Sequence, residues 1–430
     1  MVDVIGVTLW GENVGALSWD NERNLGFFEY QPSFINKGLD VSPINMPFAG
    51  SKDKIYSFPT LDEQTYKGLP GMISDVLPDD FGNHLINRWL KLNGIVKSDF
   101  SPLDRLSYIG SRGMGALEFE PAKKLGYDQS TELNISSLVE LSGKIQQKRE
   151  DITLNLQETE AMNELIKVGT SAGGQRAKAI VAYNKDSKEV RSGQTKVPEG
   201  FEHFILKFDG VTNKELGDPQ GYGKIEYAYY LMAIDCGIEM MPSQLLKENG
   251  RAHFMTKRFD RTGQGEKLHM QTLCALAHFD YRKPGVHGYE DALDIMRKLK
   301  LPKEQAVQLF RRMVFNVMAR NQDDHTKNIS FIMDKSGKWR LTPAYDVTYA
   351  YNPAGQWTNG HQMTIAGKRD NFTRKDLQSI ADEINYTNAN DDIEAIQVTL
   401  NQWEHYSDRA GIPKKQSQKL KKAFRLNFKV

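Results

Sequence analysis

A chain of 430 residues is too long for one ordinary core, and a prior of about 150 residues per domain suggests two or three units. The net charge of +1 excludes a molecule that is basic or acidic as a whole, so any charged partner has to be met by a local patch. No run of about 18 apolar residues occurs, which excludes a spanning helix, and MVDVIGVTLWG lacks the basic and apolar regions of a signal peptide.

From the start, VIGVTLW (4–10), a turn at Gly11-Glu12-Asn13 and then VGALSW predict a hairpin in a strand-rich segment of about 120 residues. Gly71–Leu92 reads as short helices broken at Pro78, and SYIGSRGMGALEFEP (107–121) as a glycine-punctuated loop ending in a strand. Residues 131–167 carry apolar positions at helical spacing, among them Leu138, Leu141, Ile145, Leu154 and Leu165. A glycine-rich loop, Gly169–Gly174, precedes the strands AKAIVAY (177–183) and HFILKFDG (203–210). YAYYLMAIDCGI (227–238) predicts a buried helix, and Pro242–Phe259 two strands around Asn249-Gly250. Its Tyr229 and Tyr230, with Met240 and Met241, read as core or hinge packing. Cys236 and Cys274 sit in apolar surroundings outside any metal-ligand spacing, so buried free thiols in a reducing cytoplasm are expected.

Beyond residue 262 the pattern is mostly helical. Ala306, Leu309, Phe310, Met313, Val314, Val317 and Met318 form one stripe over 303–320, and Thr373 with Asp376 marks a capped helix start. One hairpin interrupts the helices, ISFIM (329–333) returning as WRLTP (339–343).

That hairpin carries the chemistry. Asp323, Asp324, His325 and Asn328 precede it and Asp346 follows it, so Asn328 and Asp346 are expected close together. Phosphoryl transfer needs a carboxylate near the attacking hydroxyl and hard oxygen ligands for magnesium. Asp323 and Asn328 have the D-x4-N spacing of base and metal ligand in a kinase catalytic loop, and Asp346 takes the place of the DFG aspartate. A polar turn that merely caps its neighbours explains one or two such residues, but not both ends of a hairpin.

The loop GTSAGGQRAKA (169–179), with Thr170, Ser171, Gly173 and Gly174, allows backbone amides to approach phosphates but lacks a Walker A ending. Lys207 stands inside the apolar run HFILKFD, where an unpaired ammonium is costly. Glu226, at the start of the buried helix, is its expected partner, as in the kinase grip on the α and β phosphates. A snorkelling edge-strand lysine is the bland alternative. Glycine loop, strand lysine, helix glutamate, helical lobe, D-x4-N, hairpin and aspartate follow the order of a two-lobed kinase.

LPDDFG (77–82), LDRLSYIGSRGMGALEFEP (103–121), GTSAGGQRAK (169–178), HFILKFD (203–209), TKRFDR (256–261), NQDDHTKN (321–328) and LTPAYDV (341–347) resemble the HipA family, kinase toxins of bacterial type II toxin–antitoxin modules. The resemblance implies an α+β, two-lobed protein-kinase-like (PI3/4-kinase-like) fold. Its mixed N-terminal lobe would be followed by a mostly helical C-terminal lobe. The units would be 1–125, a β-rich N-terminal subdomain; 126–260, the lobe with the glycine loop and hinge; and 261–430, the helical lobe. It implies ATP and Mg²⁺ as cofactors, Lys207 as the phosphate-binding lysine with Glu226 as its partner, and Lys257 and Phe259 at the adenine hinge. Asp323 would be the base, Asn328 and Asp346 the magnesium ligands, and His325 and Lys327 supporting catalytic-loop residues. Serine/threonine phosphorylation is implied, with an aminoacyl-tRNA synthetase as the kind of protein substrate. Autophosphorylation on Thr170 or Ser171 is also implied. So is a HipB-like helix-turn-helix antitoxin through which operator DNA is met. The loop departs from the common pattern at Arg176, where an acidic residue is usual.

Three other readings stand beside this one. Gly169-Thr170-Ser171-Ala172-Gly173 fits the hydrolase nucleophile elbow, but a helix precedes it and a strand follows, the reverse of that motif's context. D-x-H-x-x-N also occurs in lipid and small-molecule kinases. The basic run Lys414–Lys429 suits a weakly catalytic scaffold that binds an antitoxin and DNA, or simply a solvated helix face.

Overall fold

In the computed structural model the described residues are 2–96, 100–122, 130–146, 156–169, 176–194, 197–211, 221–263 and 265–428. Chain order begins with β1 (Val4–Leu9), β2 (Glu12–Asp20), β3 (Leu25–Tyr30), α1 (Pro32–Ile35) and β4 (Ile55–Tyr56). The first hairpin is tighter than the sequence reading, for Leu9 pairs with Glu12 and the loop is Trp10-Gly11 alone. Both residues have positive φ, 53° and 82°, so the turn's twist matches that of the strands. Next come α2 (Glu63–Tyr66), α3 (Gly71–Ser74), α4 (Asp80–Leu92), α5 (Pro102–Ile109) and β5 (Leu117–Glu120). The first sheet is antiparallel with order β4-β3-β2-β1-β5.

Then follow α6 (Ile135–Gln146), α7 (Leu156–Gly169), β6 (Lys178–Asn184), β7 (Val190–Ser192), β8 (Phe201–Lys207), α8 (Tyr222–Asp235), β9 (Ser243–Glu248) and β10 (Arg251–Lys257). The second sheet is β7-β6-β8-β10-β9. The rest comprises β11 (His269–Thr272), α9 (Leu273–Ala277), α10 (Tyr289–Lys298), α11 (Lys303–Ala319), β12 (Ser330–Met333), β13 (Trp339–Leu341), α12 (Arg374–Glu383), α13 (Ala389–Asn401), α14 (Trp403–Ala410) and α15 (Lys414–Lys421). The capping box at Thr373 and Asp376 forms. No helix among the described residues is long and apolar enough to cross a membrane.

Strands β3, β4, β7 and β11 were not foreseen individually, and β7 falls in 184–194, read from the sequence as a polar turn. β11 pairs with β12, so the hairpin is two-thirds of a three-stranded sheet. Its inward residues include His269 and Gln271, both fully buried, which hides the apolar alternation of a strand. Both bond one acceptor on the N-terminal segment, Val41 O, 2.9 Å from His269 Nε2 and also bonded by Gln271 Nε2.

Two cores result, and neither is confined to one stretch of chain. The larger joins the first sheet to α5, α8, α10, α11 and the C-terminal helices. The smaller joins α4, through Phe81, Leu85, Ile86 and Leu90, to α6, α7, β6 and β8. Tyr229, fully buried, packs edge-on to Phe315, Trp403 and Phe424, and Tyr230 lies partly buried against the larger core. Cys236 and Cys274 are both buried and free.

Candidate active site

β8 and α8 meet at one ion pair. Lys207 ends β8, and its Nζ donates to Glu226 Oε1 at 2.5 Å from the fifth residue of α8. The same ammonium also donates to Asp346 Oδ1, which lies beyond β13. The backbone aims Asp346 there by a left-handed conformation, φ 52°, uncommon for a residue other than glycine and tolerated best by Asp and Asn. Burial alone would lower the Lys207 pKa, but Asp346 and Glu226 reverse this and hold it above its ordinary value. Burial opposes ionisation of Asp346 too, yet Lys207 and then Lys178 hold its carboxyl well below the usual range. Lys178 is the cross-strand partner of Lys207 on β6, and burial lowers its pKa.

The catalytic-loop candidates follow α11, whose left-handed C-cap at Arg320 turns the chain sharply. Asn328 Nδ2 donates to Asp323 O at 2.7 Å, closing the D-x4-N loop on itself. That bond commits the amide nitrogen and leaves the side-chain oxygen of Asn328 as the atom suited to a cation. It and the Asp346 carboxylate are hard oxygen donors of the kind magnesium takes. Asp323 has a side chain 41% exposed, and His325 Nε2 stands 3.9 Å from its Oδ1. Trp357 Nε1 donates to the same Oδ1 at 2.6 Å. Desolvation raises the Asp323 pKa, against the pull of His325 and Trp357.

The neighbouring Asp324 is buried and does structural work. It accepts from Tyr289 OH at 2.9 Å, from the His361 ring at 2.8 Å and from Gln362 N at 2.9 Å. Lys327 points the other way, to Asp79 Oδ1 at 2.5 Å, beneath the ring of Tyr281. Burial would lower the Lys327 pKa, but Asp79 and Tyr281 raise it. Tyr345 OH donates to Lys327 O at 2.6 Å, binding the loop to the strand that leads to Asp346.

Lys207, Glu226 and Asp346 are thus bonded in one group and Asp323, His325 and Asn328 in one loop, and Asp346 is near enough to raise the Asp323 pKa. Lys257 closes β10, bonded through Nζ to Glu202, and its backbone N–H is committed to Pro242 O at 3.0 Å. Phe259 lies against Tyr345, ring centroids 5.4 Å apart. Thr170, Ser171, Gly173 and Gly174 lie outside the described residues. The sequence reading missed Asp79, Lys178, Tyr281, Trp357 and His361. Of these only Lys178, a second lysine opening the apolar strand AKAIVAY, carried a local signal of the kind that singled out Lys207.

Comparison with known proteins bears on the whole chain. Residues 170–419 match the family model of the HipA-like C-terminal domain, and residues 5–120 that of the HipA N-terminal domain. Among curated proteins, Y4mE of Sinorhizobium fredii, named as an inferred kinase, is 26% identical over 177 residues, 38% of this chain. That match spans 39% of the relative's length. Among solved structures, the HipA of a Shewanella oneidensis complex of HipA, HipB and operator DNA superposes with a TM-score of 0.66 at 17% identity. It covers 97% of this chain and 94% of its own, and shows the same fold.

Proposed function

The chain belongs to the HipA family, and from that premise we propose that it is an ATP- and magnesium-dependent serine/threonine protein kinase, the toxin of a type II toxin–antitoxin module. The observation that carries the reading is the lysine shared by two carboxylates, Lys207 between Glu226 and Asp346, facing the Asp323–Asn328 loop. A buried ammonium held between a helix carboxylate and a post-hairpin carboxylate is placed to exchange one partner for phosphate oxygens.

When nucleotide arrives, Lys207 exchanges Asp346 for the α and β phosphates while Glu226 keeps it in place. Asn328 and Asp346 are then the residues that would hold magnesium, which supplies charge neutralisation on the β and γ phosphates when bound. Asp323 accepts the proton of the acceptor hydroxyl. The acceptor oxygen bonds to the γ phosphorus, the bond from that phosphorus to the β–γ bridging oxygen breaks, and ADP leaves. Low local dielectric strengthens each of these contacts. Lys257 and Phe259 are read as the adenine hinge, and Thr170 or Ser171 as the autophosphorylated residue. A translation-related protein such as an aminoacyl-tRNA synthetase is the proposed substrate. A HipB-like antitoxin, through which operator DNA is met, is the proposed partner, and the cytoplasm the proposed compartment.

The test is incubation with labelled ATP and magnesium beside an Asp323→Ala variant, with phosphate located by mass spectrometry. Label on wild type alone, in the 169–174 loop or on an added synthetase, is expected. No label and no calorimetric ATP binding by wild type would overturn the reading.

A further inference from the structure

The Asp323 carboxylate is anchored at one oxygen only. Trp357 Nε1 donates to Oδ1 at 2.6 Å, and among the described residues no hydrogen bond reaches Oδ2. Trp357 is held in turn. Gln362 Nε2 donates to its carbonyl at 2.6 Å and to Gln322 O at 3.1 Å, while Gln362 N donates to Asp324. These bonds tie the segment carrying Trp357 to both residues that flank Asp323. Yet the indole belongs to neither hydrophobic core. It stands partly exposed beside Tyr281 and His325, ring centroids 6.5 Å and 6.3 Å away. A partly buried tryptophan outside the core, whose one polar atom is spent on a carboxylate, is placed for orientation rather than packing.

Building on the kinase reading above, we propose that Trp357 is the positioning residue of the base. It pins Oδ1 of Asp323 so that Oδ2 is presented to the acceptor hydroxyl. A freely rotating carboxylate spends much of its time misaimed, and a fixed one is already in the geometry of proton acceptance.

The experiment compares wild type with W357F, which keeps a ring but loses the N–H, and W357H, which keeps a ring N–H. W357F is expected to lose about 10- to 100-fold in kcat, the range a hydrogen bond to a charged group supports, with the KM for ATP within about twofold. W357H should recover part of that loss, and it carries the test if W357F does not fold. Wild-type kcat in W357F, or a faster enzyme, overturns the proposal, the latter by making Trp357 a plug on the base. A second readout needs no ATP. The indole N–H resonance absent from W357F should move upfield in D323A, and an unmoved resonance removes the bond on which the proposal stands. A wild-type protein that transfers no phosphate while this resonance responds would sink the kinase reading and leave the Trp357–Asp323 bond in place.

Discussion

Lys207 is the residue on which most of the site converges, and its removal has two separable effects. Lys207→Met keeps the length of the side chain but leaves Glu226 and Asp346 facing each other without their cation. Breaking a buried pair in this way costs about 3 kcal/mol or more, so the denaturant midpoint should fall. Calorimetry should also find ATP binding abolished, and unchanged affinity would remove Lys207 from the phosphate site. Lys207 was legible in the sequence because an ammonium in an apolar strand requires a partner, and Glu226 and Asp346 because their spacing followed a known order of parts. Trp357 and Asp79 were not legible. Their contacts with Asp323 and Lys327 cross 34 and 248 residues, and nothing local in either segment marks the destination.

At the scale of elements, α4 is the link between the N-terminal segment and the catalytic loop. Asp79 occupies its N-cap but makes no capping bond with its side chain, forgoing about 1 kcal/mol of helix stability. The carboxylate reaches Lys327 instead. Asp79→Asn should therefore lower kcat with ATP affinity unchanged, because it loosens the loop and leaves the phosphate grip intact. Equal losses in both, measured by steady-state kinetics beside calorimetry, would make the contact merely structural. The same stretch holds α9, where Asp75 accepts from Thr272 N at 2.7 Å and Gly71 N donates to His278 Nε2 at 3.1 Å. The hairpins β1–β2, β9–β10 and β12–β13 were readable from turn residues, and the stripe of α11 from periodicity. β11 was not, since its inward positions His269 and Gln271 are polar and bond a distant segment, Val41 and Ser42.

For the whole molecule, acid is the natural probe. His278 Nε2 and His253 Nδ1 both accept a backbone N–H, from Gly71 and Asp209, so protonation there sets donor against donor. Burial holds His278 and His269 down to about 4, from an ordinary 6.5, and lowers His253 as well. Below about pH 6.5 the unfolded chain takes up protons that the native state refuses, so stability falls until about pH 4. Asp260 adds a later loss. Burial opposes its charge, but Arg258 and Arg261 keep it below the carboxylate range, so that stability is lost only as pH falls through and below 3.8. Melting temperature measured from pH 7.5 to 4 should decline over the first window, and His278→Gln, which can still accept from Gly71, should flatten part of the decline. A flat profile in wild type would show that these histidines do not govern acid stability. Because the larger core joins the first sheet to the helical lobe, a chain of residues 126–430 alone is expected to be insoluble. A soluble fragment with a cooperative melt would count against that continuity.

Synthesis on the ribosome runs from the first sheet toward α15, yet Tyr229 in the middle of the chain is packed by Trp403 and Phe424, and Arg425 N donates to Met318 O at 2.9 Å at the end of α11. The helix that carries Glu226 and the helix that leads into Asp323 are thus both buttressed by residues translated after them. A nascent chain would hold every candidate catalytic group before it held the wall that fixes them. For a protein proposed to be toxic, that order delays any harmful activity until residues 403–425 have been translated.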